Sequence, residues 1–350
     1  MIGKVRSWFY QNEFVKPVRL PGFVVSVGNI SLGGTGKSPF VMLLAERALA
    51  AGLRTAVLSR GYKRKSGELV IVGSQEKLPS VDLLGDEPWM IKNRLPGISL
   101  LVHPDRGRMA EKNWQKLGAP ELVILDDGFQ HWKLARDRDV VMVDGEESIF
   151  GRTLPFGRMR EPAEALGRAD LVAITRSEAL VSQERKVLAA AVTANMENRL
   201  PALWKRSGAK RPDLVWAAYE FREFADFITG EGVLSTEGKA FVLVSGIAKP
   251  AGLRAMALSL GLAVKEEIQF PDHHRLEAAD LKKIQIALQK NSGAVLLLSE
   301  KDAARWKEDL AGTSGLVLKV RLRFSEADEA KIQRFLAEIF AEARRCSISG

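Results

Sequence analysis

Phe23-Val24-Val25-Ser26-Val27-Gly28-Asn29-Ile30-Ser31-Leu32-Gly33-Gly34-Thr35-Gly36-Lys37-Ser38 is the stretch that decides how this chain folds. Residues 23–27 are a short apolar run with β-branched members, which reads as a buried strand. A glycine-rich turn follows, and a helical stretch runs from Lys37 to about Ala51. Strand, glycine turn and helix in that order form a phosphate-binding loop. The glycines let backbone N–H groups turn inward around phosphate oxygens, and the helix directs its positive end to the same place. Gly33, Gly34, Thr35 and Gly36 are therefore read as the nucleotide cradle, Lys37 as the cation on the β- and γ-phosphates, and Ser38 as a hydroxyl for Mg²⁺. The general pattern has glycine where this chain has Ser31. A related loop type carries lysine just before the Gly-Gly pair, where this chain has Leu32, which disfavours that subclass.

Working outward, strand-like runs recur at 55–58, 99–102, 122–125, 140–143 and 171–174, with helical segments between several of them. That alternation predicts an α/β fold with a P-loop NTPase-like parallel sheet covered by helices on both faces. The rhythm breaks between about 205 and 240. A second, smaller α/β pattern then begins at Phe241-Val242-Leu243-Val244. The expected organisation is a core domain at 1–207, a linker or hairpin at 208–240 and a second domain at 241–350, with the final helix free to pack back on the core. Residues 1–16 carry Ile2, Val5 and Phe9 at helical spacing beside Lys4, Arg6 and Lys16. This reads either as a helix on a membrane surface or as one packed on its own domain.

The chain has 350 residues and a net charge of +9, which suits an anionic partner without choosing one. No run reaches the ~18 to 20 unbroken apolar residues of a spanning helix. One cysteine, Cys346, forms no internal disulfide and fits a reducing compartment.

Leu122-Val123-Ile124-Leu125 ends in Asp126 and Asp127, followed by Gly128, Phe129, Gln130 and His131. Acids at the end of a central strand beside a phosphate loop are expected to organise Mg²⁺. Gln130 and His131 are placed to face substrate or the γ-phosphate. A kinase also needs a group to accept the proton of its alcohol. Asp86, in Gly85-Asp86-Glu87-Pro88, and Asp272, in Pro271-Asp272-His273-His274, are candidates. A helix cap is the competing reading for either acid. Arginines in loops after strands, such as Arg60, Arg106 and the pair Arg158 and Arg160, can neutralise phosphoryl charge or lie on a solvated face.

Taken together, Gly33 to Pro39, Ser59-Arg60-Gly61-Tyr62, Gly85 to Pro88, Asp126 to His131, Arg160-Glu161-Pro162 and Asp272-His273-His274 resemble the tetraacyldisaccharide 4′-kinase family. The match runs from about residue 8 to about 305. The resemblance implies two α/β/α domains that close around nucleotide. It implies ATP as phosphoryl donor, Mg²⁺ as cofactor and the 4′-hydroxyl of a tetraacyldisaccharide 1-phosphate as acceptor, giving lipid IVA. It also implies a peripheral enzyme on the anionic cytoplasmic face of the bacterial inner membrane, the N-terminal helix touching lipid. By the same resemblance Asp86 is the general base, His273 tunes it with Asp272 beside it, and Arg160 and Glu161 lie near phosphates and metal. A P-loop GTPase or assembly ATPase acting on a protein or metal partner is the alternative, but no Asn-Lys-x-Asp string is present. No nucleic-acid motif set and no obligatory protein partner is evident.

Overall fold

The computed structural model describes residues 16–62, 64, 66–178, 180–198 and 212–348. The expected N-terminal helix at 1–16 lies outside them, apart from its last residue. In chain order the elements are β1 (Phe23–Asn29), α1 (Lys37–Ala50), β2 (Thr55–Ser59), β3 (Val70–Val72), α2 (Val81–Leu84), α3 (Asp86–Arg94), β4 (Ser99–Val102) and α4 (Arg106–Lys112). There follow β5 (Leu122–Asp126), β6 (Arg138–Asp144), a 3₁₀ turn at Ala163–Arg168, β7 (Leu171–Thr175), α5 (Ser182–Glu197), β8 (Asp213–Asp226) and β9 (Gly232–Val233). The chain ends with β10 (Ala240–Ser245), α6 (Pro250–Ser259), β11 (Ala263–Gln269), α7 (Ala278–Lys290), β12 (Ala294–Ser299), α8 (Glu300–Arg305), β13 (Gly315–Phe324) and α9 (Glu326–Ile348).

The chain divides into two compact units. Unit 1 holds residues 1–84, 91–219 and 322–350, and unit 2 holds 85–90 and 220–321. In unit 1 the strand order is β8-β7-β6-β1-β5-β2-β4-β3, parallel except for β3 at the edge. Strands β1, β5 and β6 are buried along their whole length. That is why they read as continuous apolar runs rather than as alternating ones. Val27 pairs with Asp126 on one side and Val140 on the other, so β1 sits in the middle of the sheet. Strand order reverses at β1, and ligands of open α/β sheets bind at the strand C-termini of such a point. Helix α9 belongs to this unit: Arg47 pairs with Glu329 at 2.7 Å, and Asp328 accepts from the Trp216 amide at 3.1 Å.

Unit 2 is built on parallel β11-β10-β12-β13. Phe241 and Leu243 on one face of β10 and Val242 and Val244 on the other enter two separate apolar clusters.

Residues 208–240, expected as a linker or hairpin, hold both a strand and a hairpin among those described. From Asp213 to Asp226 the chain is a 14-residue strand, and only its far end makes a hairpin, with Phe224 opposite Val233. Val215 and Ala217 are buried, and Leu171 to Thr175 pair with Asp213 to Ala217. The basic run before Pro212 obscured an aromatic, β-prone stretch whose burial comes from its neighbours.

Candidate active site

Two glycines shape the phosphate loop. Gly33 and Gly36 have φ of 119° and 91°, a region that L side chains avoid. A Cβ on Gly36 would lie 2.8 Å from the Tyr219 hydroxyl. Ser31 has no positive φ and forms an isolated antiparallel bridge with Met159, so serine is tolerated where the general motif has glycine. Asn29 donates to the Thr35 hydroxyl at 3.1 Å, and the Thr175 hydroxyl donates to the Thr35 carbonyl at 3.2 Å. Arg176 donates to the Gly34 carbonyl, pairs with Asp144 at 2.8 Å and lies over the Tyr219 ring at 5.0 Å. Lys37 and Ser38 then open α1, both half-buried.

At the end of β5, Asp127 turns into the left-handed region at φ 49°. For a non-glycine residue this costs on the order of 1 kcal/mol, and such strain collects at functional sites. Its carboxylate accepts two bonds from Arg160 at 2.8 Å and stands 3.4 Å from Nζ of Lys37. Burial acts to raise this acid, but the charges of Lys37 and Arg160 outweigh it and hold the carboxyl at about 2. Asp126 is buried and accepts from the Ser59 hydroxyl at 2.9 Å. Arg106, buried beneath both acids, donates to the Asp126 carbonyl at 2.6 Å. Burial lowers its pKa, against the opposing pull of Asp126 and Asp127, and the charge of Arg60 lowers it further. Arg60 itself is exposed.

Gln130 lies between two chain segments. It donates to the Asn29 carbonyl at 2.8 Å and to Glu161 at 2.9 Å, tying the end of β1 to the segment after Arg160. Glu161 is gripped from the other side by Arg168, which pairs at 2.9 Å and lies over Phe129 at 4.2 Å. The His131 backbone closes a turn, its amide donating to Gly128 and its carbonyl accepting from Arg136.

Asp86, His273 and Asp272 fall in unit 2. Gly85, at φ 87°, precedes α3 and leaves Asp86 as its first residue. The carboxylate accepts from Nε of Arg305 at 2.7 Å and stands 3.4 Å from Nδ1 of His273. Burial acts to raise it, and His273 and Arg305 together bring it down to about 2. A tight turn holds His273, at φ 63°: its amide bonds to Gly246, the His274 amide to Pro271, and Trp306 caps the His274 carbonyl at 3.0 Å. Nε2 of His273 lies 3.2 Å from Nζ of Lys301 and 3.8 Å from Asp272, and Lys301 reaches Glu87 at 3.2 Å. Asp86 is thus the centre of a charged network rather than a helix cap.

Arg168, Arg176, Lys301 and Arg305 join these networks only in the fold. Arg176 carried the same signal as Arg60, a basic residue directly after a strand. Lys301 and Arg305, spaced four apart, share a helix face. Nothing in the string marks Arg168.

A model of the tetraacyldisaccharide-1-P 4′-kinase family matches residues 1–341. A tetraacyldisaccharide 4′-kinase of Anaeromyxobacter dehalogenans is 34% identical over 320 residues, covering 90% of this chain and 81% of that protein. One from Bdellovibrio bacteriovorus is 31% identical over 307 residues, covering 87% and 85%. A crystal structure of LpxK from Aquifex aeolicus in complex with ATP aligns with a TM-score of 0.73 at 28% identity, covering 97% of this chain and 95% of that one.

Proposed function

The chain belongs to the tetraacyldisaccharide-1-P 4′-kinase family, and from that premise we propose how its residues divide the work. The enzyme is an ATP-dependent kinase of lipid A synthesis, transferring the γ-phosphoryl group to the 4′-hydroxyl of a tetraacyldisaccharide 1-phosphate. The family match leaves the GTPase or assembly-ATPase reading without support. One observation carries the division of roles: Lys37 and Asp127 meet at 3.4 Å where the phosphate loop and the acidic strand end converge.

Gly33 to Ser38 hold the ATP phosphates, with Lys37 on the γ-phosphoryl group. Arg160, anchored on Asp127, offers its remaining donors to the same oxygens. Among the described residues no cluster of three or more His, Cys, Asp or Glu forms an all-protein metal cage. Mg²⁺ needs none, since it takes one or two carboxylates plus phosphates and waters. Ser38, Asp126 and Asp127 supply suitable hard oxygens, with Glu161 close behind through Gln130. When bound there, the ion neutralises charge on the phosphates.

Asp86 accepts the proton of the sugar hydroxyl. At a pKa of about 2 it is ionised throughout the physiological range but is a weak base. Phosphoryl transfer passes through a loose transition state that asks little early deprotonation of the nucleophile. Asp86 therefore orients the hydroxyl first and takes its proton late, with His273 and Arg305 fixing its direction.

No helix of the described residues is long and apolar enough to cross a membrane. The acceptor is a lipid, so the enzyme works at a surface, on the anionic cytoplasmic face of the inner membrane. The test is incubation with γ-labelled ATP and a tetraacyldisaccharide 1-phosphate, followed by thin-layer chromatography. Label in a lipid product is expected. Label released only as inorganic phosphate would refute the kinase assignment.

A further inference from the structure

Ser148-Ile149-Phe150-Gly151-Arg152-Thr153-Leu154-Pro155-Phe156-Gly157-Arg158 places three large apolar side chains in water. Phe150 is 68% exposed, Leu154 45% and Phe156 83%. Single exposed apolar residues are ordinary, but three within seven positions of one loop are not.

The loop is tightly built. Leu154 donates to the Met159 carbonyl at 2.8 Å, Met159 to Arg152 at 3.1 Å and Phe156 to Thr153 at 3.1 Å. A Cβ on Gly157 would fall 2.1 Å from the Arg152 carbonyl oxygen, so the turn closes only with glycine there. Both ends are rooted, Ile149 and Met159 being buried in the same apolar cluster as Ile30. The root is also the wall of the phosphate loop, since Leu32 donates to Arg158 at 2.8 Å and Arg160 to Ile30 at 2.7 Å. A held backbone thus presents the phenylalanines outward.

Charge completes the pattern. Between 148 and 158 there is no acid, and there are two arginines. Arg158 pairs with Glu147 at 3.3 Å, while Arg152 is exposed. Aromatic rings beside cations suit the boundary between headgroups and acyl chains, where apolar burial and attraction to anionic lipid act together. We propose that the 148–158 loop is a bilayer-contacting element of unit 1, with Phe150, Leu154 and Phe156 entering the interface of an anionic lipid surface and Arg152 meeting lipid phosphates. This rests on the surface-bound reading above and gives it an anchor distinct from residues 1–16. Because the loop is rooted beside Leu32, it holds the phosphate loop at a set height above the membrane that carries the acceptor.

The test is co-sedimentation of the full chain with phosphatidylethanolamine vesicles containing phosphatidylglycerol. Phe150→Ser/Phe156→Ser is expected to lose partitioning about tenfold or more. Its turnover with detergent-dispersed acceptor should stay at the wild-type level, while turnover with vesicle-borne acceptor falls in step with binding. Arg152→Gln should weaken binding to these vesicles about fivefold and leave binding to pure phosphatidylcholine unchanged. Phe156→Trp, which keeps the apolar bulk, should gain blue-shifted emission quenched by brominated acyl chains. Wild-type partitioning of the double variant overturns the loop's role. So does emission from the Phe156→Trp variant that stays unquenched on vesicles that bind the protein. Equal loss with detergent-dispersed and vesicle-borne acceptor overturns it too, by moving the phenylalanines to the acceptor's own chains. Absence of vesicle binding by the wild type would instead remove the surface-bound reading itself.

Discussion

Nε of Arg305 donates to Oδ2 of Asp86 at 2.7 Å across 219 residues of chain. The Arg305 side chain is 3% exposed and also holds the Gly246 carbonyl and Asp302. A guanidinium fixed from three sides cannot swing away, so the carboxylate it faces is both ionised and aimed.

Replacing Arg305 with Gln should move Asp86 up from about 2, because burial then acts with less opposition. The acid limb of kcat/KM should shift to higher pH, with ATP binding little changed. An acid limb that stays in place would show that Asp86 does not govern it. The same depressed carboxyl links stability to pH. Its contribution, about 2 kcal/mol, is present above its ordinary value of 3.8 and is lost as pH falls toward about 2. Denaturant titrations in that window should show the Arg305→Gln protein losing less stability than the wild type.

Lys37→Ala should lower kcat by about a thousandfold or more while the fold persists, since the lost cation acts on charge that develops in transfer. Turnover near the wild-type rate with an unchanged circular dichroism spectrum would remove the phosphate-loop assignment. Losing Lys37 also frees the Asp127 carboxyl to rise, which carbon-detected titration can follow.

Arg176→Ala leaves Asp144 and the Gly34 carbonyl without their shared donor. KM for ATP should rise about tenfold or more, with a smaller change in kcat. Arg176→Lys should recover part of the affinity, as it restores the charge but not the guanidinium that lies over the Tyr219 ring. A fall in kcat alone would place Arg176 in the chemistry rather than in the shape of the loop.

Gly28→Ala would put a Cβ 2.5 Å from Cβ of Phe129 and 2.7 Å from its amide nitrogen. β1 and the turn after Asp127 cannot both keep their places. A loss of about 2 to 4 kcal/mol of stability is expected in thermal or denaturant melts, with activity falling at temperatures where the protein still folds. A variant as stable as the wild type would show that this contact yields.

Much of unit 1 was legible because its central strands are buried on both faces. Burial from both sides demands unbroken apolar runs, and these stand out in β1, β5, β6 and β7 whatever the context. β8 was missed for the converse reason. Its aromatic and charged residues are only partly covered, so its strand character comes from pairing with β7. The phosphate loop and the acid pair stand out in the string because each is local, a few residues at a recognisable spacing, and the fold brings Lys37 and Asp127 to 3.4 Å. Gln130 stands beside the acid pair in the string, and only the fold shows its amide donating to Asn29 and Glu161.

Local order alone determined the nucleotide cradle, the strand-and-helix alternation and the family, since backbone conformation and apolar periodicity are written over short stretches. The tertiary structure decided the partners: Arg305 with Asp86, Arg160 with Asp127, Arg176 with Gly34, and the outward set of Phe150 and Phe156. Charges and exposed rings take their meaning from what lies within a few ångströms, and chain separation carries no record of that distance.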